Sequence, residues 1–462
     1  MAVQIRSEYD LPTLRIRLSG AGRAGLTHVE FQTVLGGGRP ERVAGCTIGQ
    51  LGLPERLSAR DQLPDHRFRI PTELVKALAA AADGLGPSPG PPSNALWLEL
   101  ANPRGYLHLV PWEELLAPLG RPVVRLPNHT VRAQSPSDTL EVALCAGSRS
   151  AGTAAATAAV LEQLTGMWIE HSGRHVRAHL FTDLAGHREV ARWASGMTPF
   201  LVVHDPHDAA RCAPSANSLS CAEEPGRVLD PWLRWIRDAL QRQALDVVQF
   251  VTDGRLSNGR GALALAGTPL RGPQRAASPF VGSAQLSTLL AQVGAWCLVL
   301  NAVPGIRSGA ALRELADAVA AVRPGVVLVD DLDLDPDLRQ LGSAVGMVLG
   351  AADPPTTAMP GLVCWAHPKF AESPGTAAML LTPDRRSTLI GGATQDALTG
   401  DRTPSWVASG TRYLEAQQSE WMPDSPDAAE VDPDAAAALR SVSSLLEKHV
   451  RRHLDGRPGG AP

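Results

Sequence analysis

Two hydrophobic rhythms run along this chain, and the change from one to the other marks its organisation. Residues 14–18 and 27–35 alternate apolar and polar side chains, the period-2 pattern of strands with one solvated face. Residues 72–82 place Leu74, Leu78 and Ala81 on one side of a short helix. A proline- and glycine-rich stretch, 84–94, predicts a linker. Residues 96–100 and 106–110 flank the turn residues Asn102-Pro103-Arg104-Gly105, which predicts a β-hairpin. Pro111-Trp112-Glu113-Glu114 then reads as a helix start, with proline at the first position and acids in the first turn.

From residue 140 the rhythm becomes regular. Strands are predicted at 140–145, 176–181, 200–204, 247–251, 296–302 and 326–329, with helical stripes between them. Asp230 followed by Pro231 caps one of those helices. Strand, helix, strand in this order predicts a mainly parallel sheet with crossover helices on its faces. One more strand is expected at 362–365, and two helices near the C-terminus, capped at Thr403-Pro404 and Asp432-Pro433. This divides the chain into a β-rich region (1–95), an α/β core (96–370) and a loop-rich, helical extension (371–462).

Composition narrows the picture a little. In 462 residues, 43 basic and 47 acidic side chains leave a net charge of -4, so neither nucleic acid nor an anionic membrane is indicated as partner. The N-terminus lacks the apolar core of a signal peptide, and no apolar run approaches a membrane span. Six cysteines without a CxxC pair fit a reducing compartment, so a cytoplasmic protein is expected.

Candidate chemistry gathers at strand ends. In open α/β sheets ligands collect at the C-terminal edge of the strands, where Asp253, Gly254, Asn301, Asp330 and Asp331 fall. These residues are candidates for an acidic pocket that takes a basic peptide or a cation; equally, acids are common wherever strand ends meet water. His204, His207, Cys212 and Cys221 are zinc-competent ligand types. The gap from Cys212 to Cys221 is wide for a ligand pair, and the expectation is loop residues with no joint role. Neither a metal nor a cofactor is expected.

Three landmarks together resemble the CHAT peptidases, bacterial relatives of caspases. Pro111-Trp112-Glu113-Glu114-Leu115-Leu116 is similar to the family's L-P-W-E-L-L. Val248-Gln249-Phe250-Val251-Thr252-Asp253-Gly254 is similar to its V-H-F-x-G-H-G, and Val299-Leu300-Asn301-Ala302-Val303 to its V-L-N-A-C. The resemblance spans residues 107–350 and implies a caspase-like three-layer α/β sandwich. It also places the family's catalytic histidine at Asp253 and its nucleophilic cysteine at Val303. Valine has no nucleophilic atom, and a carboxylate cannot replace the imidazolium that returns a proton to the leaving amine. Trp112 and Glu113 read as structural. The resemblance therefore implies a catalytically degenerate module that binds another protein or peptide, as a scaffold or regulatory subunit in a bacterial defence or signalling system. The alternative is an active hydrolase or cysteine peptidase using other residues. For that role Cys297 reads as a core residue and Ser308 lacks an evident base.

Overall fold

Alternating strands open the fold as an antiparallel meander of β1 (Thr13–Gly20), β2 (Thr27–Val34) and β3 (Glu41–Thr47). The computed structural model describes residues 11–371 except 21–26, 36–37, 55–62, 86–93, 102–104, 129–137, 148–153, 196–199, 213–227, 229, 241–242, 258, 271–279 and 305–307. Those described residues belong to the first of two compact units, Met1–Ser387. The helices expected near Thr403 and Asp432 lie outside the described residues. Helix α1 (Thr72–Gly84) buries Leu74 and Leu78 in one cluster with Ile16 and Phe31 of the meander.

The hairpin expected around residues 96–110 does not form. β4 (Leu96–Leu100) instead runs parallel to both β1 and β5 (Val123–Arg125), while Leu107–Leu109 is a turn of 3-10 helix. The reason is burial: all five residues of β4 are buried, as a central strand requires and a solvated hairpin arm does not. Because of the β1–β4 pairing, the sheet runs without interruption across residue 95. Short helix α2 (Trp112–Leu115) follows, with the Trp112 indole donating to the Leu107 carbonyl at 2.8 Å.

Beyond residue 139 the apolar runs become strands in the predicted order. They are β6 (Thr139–Ala146), β7 (His175–Thr182), β8 (Leu201–Val203) and β9 (Val247–Val251), then a small separate hairpin of β10 (Asp253–Ser257) and β11 (Arg260–Ala264). β12 (Cys297–Asn301), β13 (Val326–Asp330) and β14 (Leu362–Trp365) complete the set. The connecting helices are α3 (Ala154–His171), α4 (Leu184–Ala194), α5 (Pro231–Ala239), α6 (Ser283–Gln292), α7 (Gly309–Val322) and α8 (Arg339–Leu349). Two of them start on aspartate caps: Asp183 accepts from Gly186 N, and Asp230 from the amides of Trp232 and Leu233.

Twelve strands join in one sheet, in the order β3-β2-β1-β4-β5-β14-β13-β12-β9-β6-β7-β8. From β13 to β8 every neighbour is parallel. β1, β4, β5 and β14 form a second parallel block, and the antiparallel β13–β14 pair joins the two. Helices α3, α4 and α8 contribute to the core on one face of the larger block, and α5, α6 and α7 to the core on the other. The protein is thus mixed α/β with a large, mainly parallel sheet. Among the described residues no helix is long and apolar enough to cross a membrane.

Candidate functional site

Strands β9 and β12 are parallel neighbours, with Val251 opposite Asn301. Both have all five residues buried, because helices cover each face. Asp253 and Val303 therefore lie two residues beyond a matched pair of strand ends, and the amide of Thr252 donates to the Asn301 carbonyl at 3.0 Å. Past that point the two segments diverge. Val303 packs its side chain on the core beneath α3 and α8. Buried Asp253 instead begins the β10–β11 hairpin, which lies on α7. Gly254 is required there by close approach: a Cβ would come 2.9 Å from both the Ala311 Cβ and the Ser308 carbonyl.

Gln249, Asn301 and Asp330 form a buried polar chain across the centre of the sheet. The Trp168 indole donates to Gln249 Oε1 at 2.6 Å, Gln249 Nε2 donates to Asn301 Oδ1 at 2.6 Å, and Asn301 Nδ2 donates to Asp330 Oδ2 at 2.9 Å. An indole can only donate, so the first bond orients both amides and every donor points toward Asp330. All three side chains are fully buried. Burial, reinforced by the nearby Asp335 and Asp331 carboxylates, pushes the Asp330 carboxyl well above its usual range.

Asp330 and Asp331 both line a narrow cleft together with Asp65, Glu113, Glu114 and Arg313. About 30 Å³ of it is open to water, room for one or two molecules. Two of its acids belong to arginines: Arg125 grips buried Glu113 at 2.8 and 2.9 Å, and Arg313 binds Asp65 together with the Leu109 carbonyl. Burial raises the carboxyls of Glu114 and Asp331, with neighbouring acids adding to the effect. Of the residues read as a pocket in the sequence, Asn301 stands behind this cleft as the buried partner of Asp330, and Gly254 lies against α7. The structure brings Asp330 and Asp331 to one opening and does not gather all of them there.

Burial raises each described thiol: Cys46 up to about 11, Cys364 up to about 12, Cys145 and Cys297 well above the usual range, and half-exposed Cys212 upward as well. Ser308 is buried beside Gly254, and its hydroxyl has no hydrogen-bond partner among the described residues. Nor do any three described His, Cys, Asp or Glu side chains converge as metal ligands. His204 stacks on Phe181, exposed His207 pairs with Asp205 at 2.8 Å, and Cys212 donates to the Asp208 carbonyl; Cys221 lies outside the described residues.

A second polar chain escaped the sequence reading. Glu141, His179 and His204 sit on three successive elements near the β8 edge. Glu141 Oε2 lies 3.0 Å from His179 Nε2, and His179 Nδ1 lies 3.1 Å from His204 Nε2. Arg177 donates to the other Glu141 oxygen at 2.9 Å. The available signal was histidine and glutamate inside otherwise apolar strands, where a polar side chain needs a partner.

Compared with known proteins, the chain matches no family model and no curated sequence.

Proposed function

We propose that this chain is a catalytically silent, CHAT-like module that acts by binding another protein. The observation that carries the reading is the placement of Asp253 and Val303 at equivalent positions beyond the paired ends of β9 and β12. A cysteine peptidase built on adjacent parallel strands would hold its base and nucleophile at such a pair of positions, and here neither side chain can do that chemistry. The sheet with helices on both faces is the layering that a caspase-like sandwich has. The buried, high-pKa thiols also speak against a substitute nucleophile.

A thiol-directed alkylating probe at low concentration, together with a peptide-release assay on a mixed protein substrate, tests catalytic silence. Slow, unselective labelling and no peptide release are expected. Cleavage that disappears with a single cysteine-to-alanine change would overturn the proposal.

A further inference from the structure

We propose that Glu141, His179 and His204 form an acid-sensitive latch holding the edge strand β8 onto β7. β8 is three residues long, ends the sheet, and pairs with β7 from Ala178–Leu201 to Leu180–Val203. Just beyond it the His204 amide donates to the Leu180 carbonyl at 3.1 Å. The His204 ring lies flat on Phe181, centroids 4.3 Å apart, and Trp235 of α5 meets Phe181 edge-on. So few backbone bonds leave the edge dependent on side chains: Leu201 in the core, Val203 packed against it, and the His204 ring on Phe181.

The hydrogen bonds fix the protons. Glu141 takes donors from Arg177 and from His179 Nε2, so His179 Nδ1 carries the lone pair that accepts from His204 Nε2. That arrangement requires a neutral His179 and loses its central bond when both rings are protonated. Other charged groups lie around it: Asp246 accepts from the Glu141 amide, and Asp208 pairs with Arg211. Asp205 is paired with His207 beyond β8, with His187 of α4 near Asp205, and on α5 Arg237 and Asp238 pair with each other.

Burial lowers the affinity of both rings for protons, taking His204 down to about 4. Once β8 peels away the rings meet water and regain their ordinary value of about 6.5. The closed state therefore binds fewer protons than the open one. Closure is at full strength above about 6.5 and weakens as pH falls from there toward about 4. In that window the open population rises by up to about tenfold per pH unit for each histidine.

Amide hydrogen exchange on the full chain, corrected for the intrinsic rate, tests the latch. Between pH 7.5 and pH 5 the opening constant of residues 201–204 is expected to rise about 30-fold if one histidine takes a proton, and up to about 1000-fold if two do. His204→Phe keeps a ring on Phe181 and should remove at least one histidine's share of the rise. A wild-type constant that stays flat, an equal rise in the variant, or loss of protection in β9 and β12 at the same pH would overturn the proposal. Should the variant fail to fold, NMR titration of the wild-type imidazoles decides. A midpoint well below 6 for His204 supports the latch, and an ordinary one sinks it.

Discussion

The two polar chains in this protein use similar bonds at different depths. Trp168, Gln249, Asn301 and Asp330 cross the centre of the sheet, with helices over both faces and their side chains buried. Glu141, His179 and His204 occupy its rim, where Glu141 is partly exposed. In the centre the amides cannot titrate, and burial favours the neutral form of the acid at the end. On the rim His179 is buried and His204 half-buried, and their loss of proton affinity is a stress that acid releases. Depth decides whether a hydrogen-bonded chain fixes a fold or senses its surroundings.

Breaking the central chain should have the largest effect. Asn301→Leu leaves the Gln249 amide and the Asp330 carboxyl without their shared partner, and urea denaturation should show a loss of about 3–5 kcal/mol. A loss below about 1 kcal/mol would place the two chains on an equal footing and remove the contrast. Glu113→Ala provides a reference for buried charge. It strands Arg125 beneath the sheet and should cost about 3–5 kcal/mol by the same measurement.

Asp330→Asn sharpens the comparison through pH. The folded-state carboxyl titrates above its unfolded value, so its contribution is greatest in acid and declines as pH rises above about 4. The asparagine variant should therefore gain on the wild type in melting temperature from pH 4 to pH 7.5, opposite in sign to the rim histidines. Parallel melting curves would mean that the central acid is ionised after all. The smallest effect is expected from Asp183→Ala, which removes the cap of α4 beside the rim. It should lower stability by about 1 kcal/mol with no change in pH dependence.

The sequence made the central strands legible for a simple physical reason. Runs such as Val247–Val251 and Cys297–Asn301 are apolar on both sides because both sides are covered, and no loop chemistry competes with that signal. By contrast the partner of β4 was not legible, because the sequence Asn-Pro-Arg-Gly after it is of the kind that hairpins commonly carry. Its partners β1 and β5 are decided by tertiary burial that no local window contains. β5, only three residues long, is too short for periodicity to register. The rim chain was illegible for another reason. Residues 141, 179 and 204 are joined only by strand register, so spacing along the chain carries no trace of their contact. Asp330 and Asp331 are legible as pocket candidates, yet nothing in their spacing reveals that Asn301 bonds Asp330 from the buried side.

One feature of the sheet bears on how such a molecule could acquire partners. The antiparallel β13–β14 pair reverses strand polarity between the two parallel blocks. Loops that follow the strands of one block therefore emerge at the opposite rim from those that follow the strands of the other. Since the rim beyond parallel strand ends is where sites are easiest to build, this one sheet has two fronts facing away from each other. Insertions and substitutions could remodel either front while the other kept its loops. Both rims are ordered by the same core, so recognition can evolve on either.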